Sequence, residues 1–278
     1  MRNFHLCMLA AIAFAACSEN ENENKPATRS DYEKTVARIE YTDIATGDMS
    51  IDEFRYSEKG VLSGYSHRSS SEQAGIEPIK YTEDKIVIPE KRGADAMSML
   101  QYMLDDKGIC ESYAYSDGMR PQNSIEIVYR YENERLYGCS LTADDAVLKG
   151  SFSWTEGNLT SIEYNDGNDS YTIELSYGTL SNTSSTNMDL NWTVTGHVLG
   201  GSLLMPFVKY PWAPMLRLCA NSSSASLVNR IVGMRNGVHY LSSEITWATD
   251  SDKVPTEATV LIESTATDST TKLKFGYR

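Results

Sequence analysis

Ser151-Phe-Ser-Trp-Thr-Glu-Gly-Asn-Leu-Thr-Ser-Ile-Glu-Tyr164 is the stretch that decides the fold of this chain. Phe152 and Trp154 alternate with Ser151, Ser153 and Thr155, the period of two expected of a half-buried strand. Glu156-Gly157-Asn158 supplies residues that tolerate the positive φ of a tight turn. Beyond it Leu159 opens a second strand, with Ile162 and Tyr164 on one face and Ser161 and Glu163 on the other. The stretch reads as a β-hairpin.

The hairpin recurs. An apolar anchor, four residues of turn character and an aliphatic residue five places on appear at Tyr56–Val61, Tyr81–Ile86, Leu104–Ile109, Tyr131–Leu136 and Trp154–Leu159. Successive anchors stand 25, 23, 27 and 23 residues apart, a step that fits two strands and two turns. The series predicts an all-β chain built as one large antiparallel meander of hairpins. Its clearest strands carry Ile125, Ile127, Tyr129 and Tyr131, then Tyr171, Ile173, Leu175 and Tyr177, each set alternating with Glu, Arg, Ser or Thr. Ala94 to Tyr102 fits either a strand or one helical turn. The spacing predicts roughly a dozen strands, and open twisted sheets seldom grow past ~10, so the sheet should curl strongly or close into a barrel.

After Tyr177 the rhythm breaks. Residues 188–238 are more apolar and carry Leu190, Trp192, Leu199-Gly-Gly-Ser-Leu-Leu-Met-Pro206 and Lys209-Tyr-Pro-Trp-Ala-Pro214, with a short helix expected over Met215 to Cys219. A barrel this wide cannot be filled by strand side chains alone. The 188–238 insert is therefore expected on the concave face or inside the lumen. Strands return from Val238 to Trp247, Thr259 to Ser264 and Thr271 to Tyr277.

The front of the chain is expected to lie outside the fold. Residues 1–16 have a basic n-region at Arg2 and an apolar run too short to span a bilayer, and they read as a signal peptide. Phe14-Ala15-Ala16-Cys17 resembles the lipobox of bacterial lipoproteins, with Phe14 where Leu is usual. That resemblance implies cleavage before Cys17 and lipid (palmitate) on it. Residues 17–32 then form the lipidated cysteine and a disordered tether whose Glu/Asn alternation has no apolar period. The acidic run after Cys17 resembles the export signal of surface lipoproteins, which implies the outer face of the outer membrane. Residues 33–278 make the single β domain.

Composition narrows the function. A net charge of −13 over 278 residues argues against nucleic acid, and no basic run recruits anionic lipid, so membrane contact is expected through the N-terminal lipid only. Tyr (17) far outnumbers Phe (6), which favours half-wet surfaces where each hydroxyl finds a partner. Cys110, Cys139 and Cys219 have no metal spacing and read as buried small hydrophobes. His67, His197 and His239 show no triad or metal spacing, so no catalytic residue, metal or cofactor is expected.

The tyrosine and glycine–leucine hairpins, the Phe152–Ile162 segment and Asn187-Met-Asp-Leu-Asn191 together resemble a family of bacterial surface lipoproteins of unknown function, with a porin-like β fold. The resemblance covers about residues 35–277 and implies an envelope location and a sheet, with no chemistry. Gly201-Ser-Leu-Leu-Met-Pro206 departs from the polar segment expected after the Asp-Leu-Asn motif, so packing there should differ.

The Tyr210-Pro-Trp-Ala-Pro214 stretch is the candidate contact surface: two prolines stiffen it and two rings flank Pro211, so Tyr210 and Trp212 are the expected ligand contacts. Against this stands the reading in which Trp212 anchors the insert by packing. The function expected is a surface-anchored, non-enzymatic outer-membrane lipoprotein that binds a glycan, a peptide or a protein partner. The alternatives are an envelope hydrolase using carboxylates on the polar sheet face, whose separation would reveal it, and a purely structural lipoprotein.

Overall fold

Among the described residues of the computed structural model, seventeen strands and one helix follow one another along the chain. The structure describes residues 34–58, 62–70, 73–76, 79–92, 96–106, 110–116, 125–133, 135–143, 146–165, 167–182, 189–199, 224–266 and 268–278. The strands are β1 (Val36–Asp43), β2 (Met49–Tyr56), β3 (Leu62–Arg68), β4 (Gln73–Ile76), β5 (Lys80–Tyr81), β6 (Lys85–Arg92), β7 (Ala96–Leu104), β8 (Cys110–Ser116) and β9 (Ile125–Glu132). They continue as β10 (Arg135–Ala143), β11 (Ala146–Thr155), β12 (Asn158–Asn165), β13 (Ser170–Ser181), β14 (Ser226–Arg235), β15 (Val238–Thr249), β16 (Pro255–Ser264) and β17 (Ser269–Tyr277). The helix α1 (Leu190–Leu199) lies between β13 and β14.

Every pairing is antiparallel and joins strands consecutive in the chain, apart from the last, where β17 pairs with β1. The sheet thus closes on itself as an up-and-down barrel. β4 pairs with β3 and β5 with β6, and the Ile79 amide donates to the Ser63 carbonyl of β3, so β4 and β5 are two pieces of one stave. Counted that way there are sixteen staves rather than a dozen, and an even number is what lets the first and last meet antiparallel. The Ala94–Tyr102 ambiguity resolves as strand β7, paired residue by residue with β6.

Hairpin chemistry sets the register. Glu156 (φ 51°) and Gly157 (φ 81°) form the two-residue turn between Thr155 and Asn158, and Asn236 (φ 52°) and Gly237 (φ 74°) do the same between Arg235 and Val238.

The two faces differ in kind. Along β9 the buried Ile127 and Tyr129 alternate with the exposed Glu126, Val128, Arg130 and Glu132. The inward face is aliphatic and aromatic all round the barrel and forms one buried cluster. The outward face carries cross-strand charge pairs: Arg38–Glu53 at 3.7 Å, Arg68–Glu53 at 3.3 Å, Arg230–Glu244 at 3.1 Å and Lys272–Glu257 at 3.0 Å. Exposed pairs of this kind add little stability. They do make the outward face a charged one.

The anchors of the repeat sit at one rim, and their role becomes visible there. The Tyr56 hydroxyl donates to the Val36 carbonyl at 2.5 Å, Tyr81 to Leu62 at 2.8 Å, Tyr131 to Cys110 at 2.7 Å and Tyr177 to Leu159 at 2.7 Å. The indoles of Trp154 and Trp247 donate to Leu136 and Val228, each at 2.7 Å, and Tyr277 donates to Pro255. In each case a ring at the end of one strand ties down the carbonyl that opens its hairpin partner. The hairpin is joined by a turn at the far rim and by the ring at this one. Burial pushes the Tyr81, Tyr177 and Tyr277 hydroxyls well above their ordinary range, so they remain donors at any physiological pH.

The lumen is occupied. Leu190, Asn191, Trp192, Thr193, Val194 and Thr195 are all buried, and six consecutive positions of a helix cover every side of it. Asp189 caps the helix, accepting the Asn191 amide at Oδ1 (3.0 Å) and the Thr193 amide at its carbonyl (3.2 Å). The Asn191 side chain docks it: Nδ2 donates to the Ser226 carbonyl at 2.8 Å, and Oδ1 accepts the Val228 amide at 2.8 Å. Those two backbone groups lie where the β13–β14 register slips between Tyr177 and Ser181. One amide side chain stands in for a missing ladder partner.

One expectation changes here, and a helix appears where none was expected. The insert is shorter than 188–238, because residues 226–235 are strand β14, continuous with the sheet on both sides. A bulge at Asn229 breaks its period of two and hides the strand. The helix in the insert runs over 190–199, in spite of the β-branched Thr193, Val194, Thr195 and Val198; burial in the lumen overrides their weak helix propensity. Met215 to Cys219 lies outside the described residues.

Candidate functional site

The site lies at the rim opposite the anchors, where β1 ends, β2 begins, β3 ends and β17 begins. A cavity of about 250 Å³ opens there, lined by Tyr41, Asp43, Asp48, Met49, Ser50, Ser69, Ser70, Thr271 and, from the helix in the lumen, His197. A ten-residue helix is ~15 Å long. Asp189, beside the β14 entry on the anchor side, and His197, in the cavity wall, are eight residues or ~12 Å of helical rise apart.

Behind the cavity wall sits a buried carboxylate. Asp52 on β2 faces inward and is 1% exposed. Its Oδ1 accepts the Tyr65 hydroxyl at 2.8 Å and lies 2.7 Å from Nδ1 of His67, its direct cross-strand neighbour on β3. A carboxylate in that position fixes the proton of the imidazole on Nδ1. On the other side Tyr41, on β1, is held protonated chiefly by burial and next by the Asp52 carboxylate. The Tyr41 and His197 rings stand 5.7 Å apart, centroid to centroid, with their planes tilted by 30°.

His197 differs from its neighbours. Its Nε2 is buried and finds no hydrogen-bond partner among the described residues, and burial lowers its pKa, keeping the ring neutral. Asp43 is anchored: its Oδ1 accepts the Ala45 and Thr46 amides at 2.8 and 2.9 Å, and the Thr46 amide first among these contacts holds its carboxyl below the usual range. The cavity thus has carboxylates near its mouth and an uncharged inner wall. Among the described residues its lining contains no Lys or Arg.

The structure brings together residues that sequence spacing kept apart. His67 and Asp52 are fifteen positions apart and meet only through the β2–β3 register. His197 reaches the cavity only because α1 crosses the lumen. Neither was expected as a site residue, and His239 stays exposed on β15. The expected contacts Tyr210 and Trp212, the lipidation site Cys17 and the third domain cysteine Cys219 lie outside the described residues. Cys110 and Cys139 are buried thiols, and burial pushes the Cys139 thiol up to about 11. Among the described residues no three His, Cys, Asp or Glu side chains converge as a metal centre would require.

No family model matches the sequence, and no curated protein matches it. Similarity lies in the fold. A porin-like protein from Bacteroides uniformis ATCC 8492 superposes with a TM-score of 0.63 at 14% identity, over 87% of this chain and 98% of its own. A porin-like protein from Bacteroides vulgatus ATCC 8482 superposes with a TM-score of 0.59, also at 14% identity, over 88% and 99%. Both crystal structures share the porin-like β architecture with this chain.

Proposed function

We propose that this protein is a lipid-anchored, non-enzymatic barrel of the outer-membrane surface that holds a ligand at its rim and does not conduct. The carrying observation is the direction of the two faces. A lipid-facing barrel needs an apolar outer band ~25 Å tall, and each Lys or Arg at its midplane costs about 2–4 kcal/mol. Here Arg38, Arg230 and Lys272 stand on the outer face, paired with Glu across the strands. The inner face is a continuous apolar core with a helix through it. A porin-like outline with reversed faces is a water-soluble body, so attachment to the membrane falls to the lipid on Cys17.

Geometry supports the arrangement. The first strand, β1, begins at the anchor rim, where Lys34 pairs with Asp250. The cavity opens at the other rim, which a membrane-held barrel turns towards solvent. The ligand expected from the sequence, a glycan, a peptide or a protein partner, is met there by hydroxyls, carboxylates and one aromatic ring. The scattered histidines, none at the spacing of a triad, support binding over hydrolysis.

Expression of the full precursor in a Gram-negative host, with labelled palmitate and detergent-phase partitioning, tests the anchor. Labelling that disappears in Cys17→Ala, surface accessibility to protease and silence in planar bilayers are expected. Aqueous partitioning of the wild type, or stepwise conductance from the purified protein, would overturn the reading.

A further inference from the structure

We propose that the rim cavity binds a neutral, hydroxyl-rich ring of about monosaccharide size, seated against Tyr41 with His197 Nε2 as its innermost hydrogen-bond partner. This rests on the ligand-binding reading above and narrows it to one chemistry.

Size comes first. At about 250 Å³ the cavity falls just below the ~300–1,000 Å³ of sites for drug-sized ligands, so it suits a single ring and not an extended chain. Wall chemistry comes next. Ser50, Ser70 and Thr271 offer hydroxyls that both donate and accept, the pattern that a ring bearing several hydroxyls can match from more than one side. Tyr41 gives such a ring an apolar face to lie on.

Charge excludes the other classes. An anion would meet Asp43 and Asp48 with no Lys or Arg among the described lining residues to balance them. A cation would want a carboxylate at the bottom of the cavity, but Asp48 is exposed at the mouth and Asp43 is already committed to two turn amides. Among the described residues that line the cavity, His197 alone has a buried side-chain polar atom, Nε2, without a hydrogen-bond partner. A buried polar atom without a partner costs stability, and a ligand hydroxyl is the partner that this position lacks. Burial keeps the ring neutral, which lets Nε2 meet a hydroxyl without a charge to neutralise.

The test uses the detergent-solubilised, processed protein with ¹⁵N-labelled histidine rings, of which only His67, His197 and His239 remain after processing. Probes are methyl α-glucoside, methyl α-galactoside and N-acetylglucosamine, with glucuronate and tetramethylammonium as the charged arms. At least one neutral sugar should shift the His197 ring saturably, at concentrations up to about 0.1 M that would fill a millimolar site. Ser70→Trp, which fills the mouth from an exposed position, should weaken that sugar about tenfold or more. His197→Phe should weaken it as much while leaving the melting temperature equal or higher, which a purely structural histidine would not do.

Saturation by tetramethylammonium or glucuronate alone, blocked by Ser70→Trp, would overturn the neutral-ring assignment and leave the cavity as the ligand site. A sugar held equally well by wild type and Ser70→Trp would place binding elsewhere and overturn the cavity reading itself. No shift of His197 with any neutral sugar would refute the proposal.

Discussion

Trp154 offers the sharpest test of the repeat, because one residue carries three separable contributions. Its indole N–H donates to the Leu136 carbonyl at 2.7 Å, its ring packs against the core, and the Arg135 guanidinium lies 4.8 Å above the ring. Trp154→Phe removes the first and keeps most of the second, so it should cost about 1 kcal/mol. In a domain of this size that corresponds to a melting temperature lower by roughly 2–4 °C. Trp154→Ala removes all three. Full truncation of a buried Trp costs about 3–5 kcal/mol, and Trp154 is only partly buried, so about 3 kcal/mol is expected. The same conversion gives a fall of roughly 6–12 °C. Thr155 points outward and is exposed, touching only the Thr160 hydroxyl at 3.5 Å, so Thr155→Ala should stay within about 0.5 kcal/mol. Calorimetric melts of the three variants decide the matter. If Thr155→Ala melts as early as Trp154→Ala, the register of β11 is wrong. If Trp154→Phe melts with the wild type, the rim bonds contribute nothing.

The other anchors should behave alike: Tyr131→Phe and Tyr177→Phe should each cost about 1 kcal/mol in the same melts, and the exposed Tyr137→Phe almost nothing. Asn191→Ala strands the Ser226 carbonyl and the Val228 amide in the core, and chemical denaturation should show a loss of about 2–4 kcal/mol, at least twice that of a single anchor. His197 has a depressed pKa in the folded state, so the unfolded chain binds more protons and stability contributed at neutral pH is lost as pH falls below about 6.5. The stability difference between His197→Phe and wild type should therefore widen in acid, and a difference independent of pH would show that His197 is not buried as described. Cys139, with its thiol pushed up to about 11, should resist iodoacetamide at pH 8 until the barrel is unfolded, which mass spectrometry reads directly.

Much of the barrel was legible because its strands are regular. The alternation in Ile125–Glu132 and Ser170–Ser181 gave the inward and outward faces correctly, and the anchor spacing found hairpins whose rings meet at one rim. The spacing could show that an aromatic recurs but not which carbonyl it reaches, since that depends on where the partner strand begins. β14 escaped because Asn229 adds a residue to the strand. The Asn236-Gly237 pair that follows is a strong hairpin signal, and read together with Leu227, Val228 and Ile231 it marks the strand. The candidate site was not legible at all. Asp52, His67, Tyr41 and His197 come from three strands and a helix, and only register and a helix crossing the lumen bring them within reach of one another.

The helix and the closure of the sheet belong to one physical problem. Sixteen staves enclose more space than their own side chains can fill, and two solutions exist: water against polar walls, or a solid against apolar ones. This chain has committed its inward positions to Ile, Leu, Tyr and Phe, so water is excluded and a filler is required. A helix satisfies its own backbone and can be buried on all sides, which a loop cannot do. It still needs a fixed depth. Asp-Leu-Asn provides it in three residues: Asp189 starts the helix, Leu190 enters the core, and Asn191 completes the gap that the β13 irregularity leaves in the ladder. The register of the helix is thereby tied to the register of the sheet. With the first turn fixed on the anchor side, 1.5 Å per residue brings His197 to the cavity wall. The same three residues that close the core also determine which side chain reaches the cavity floor.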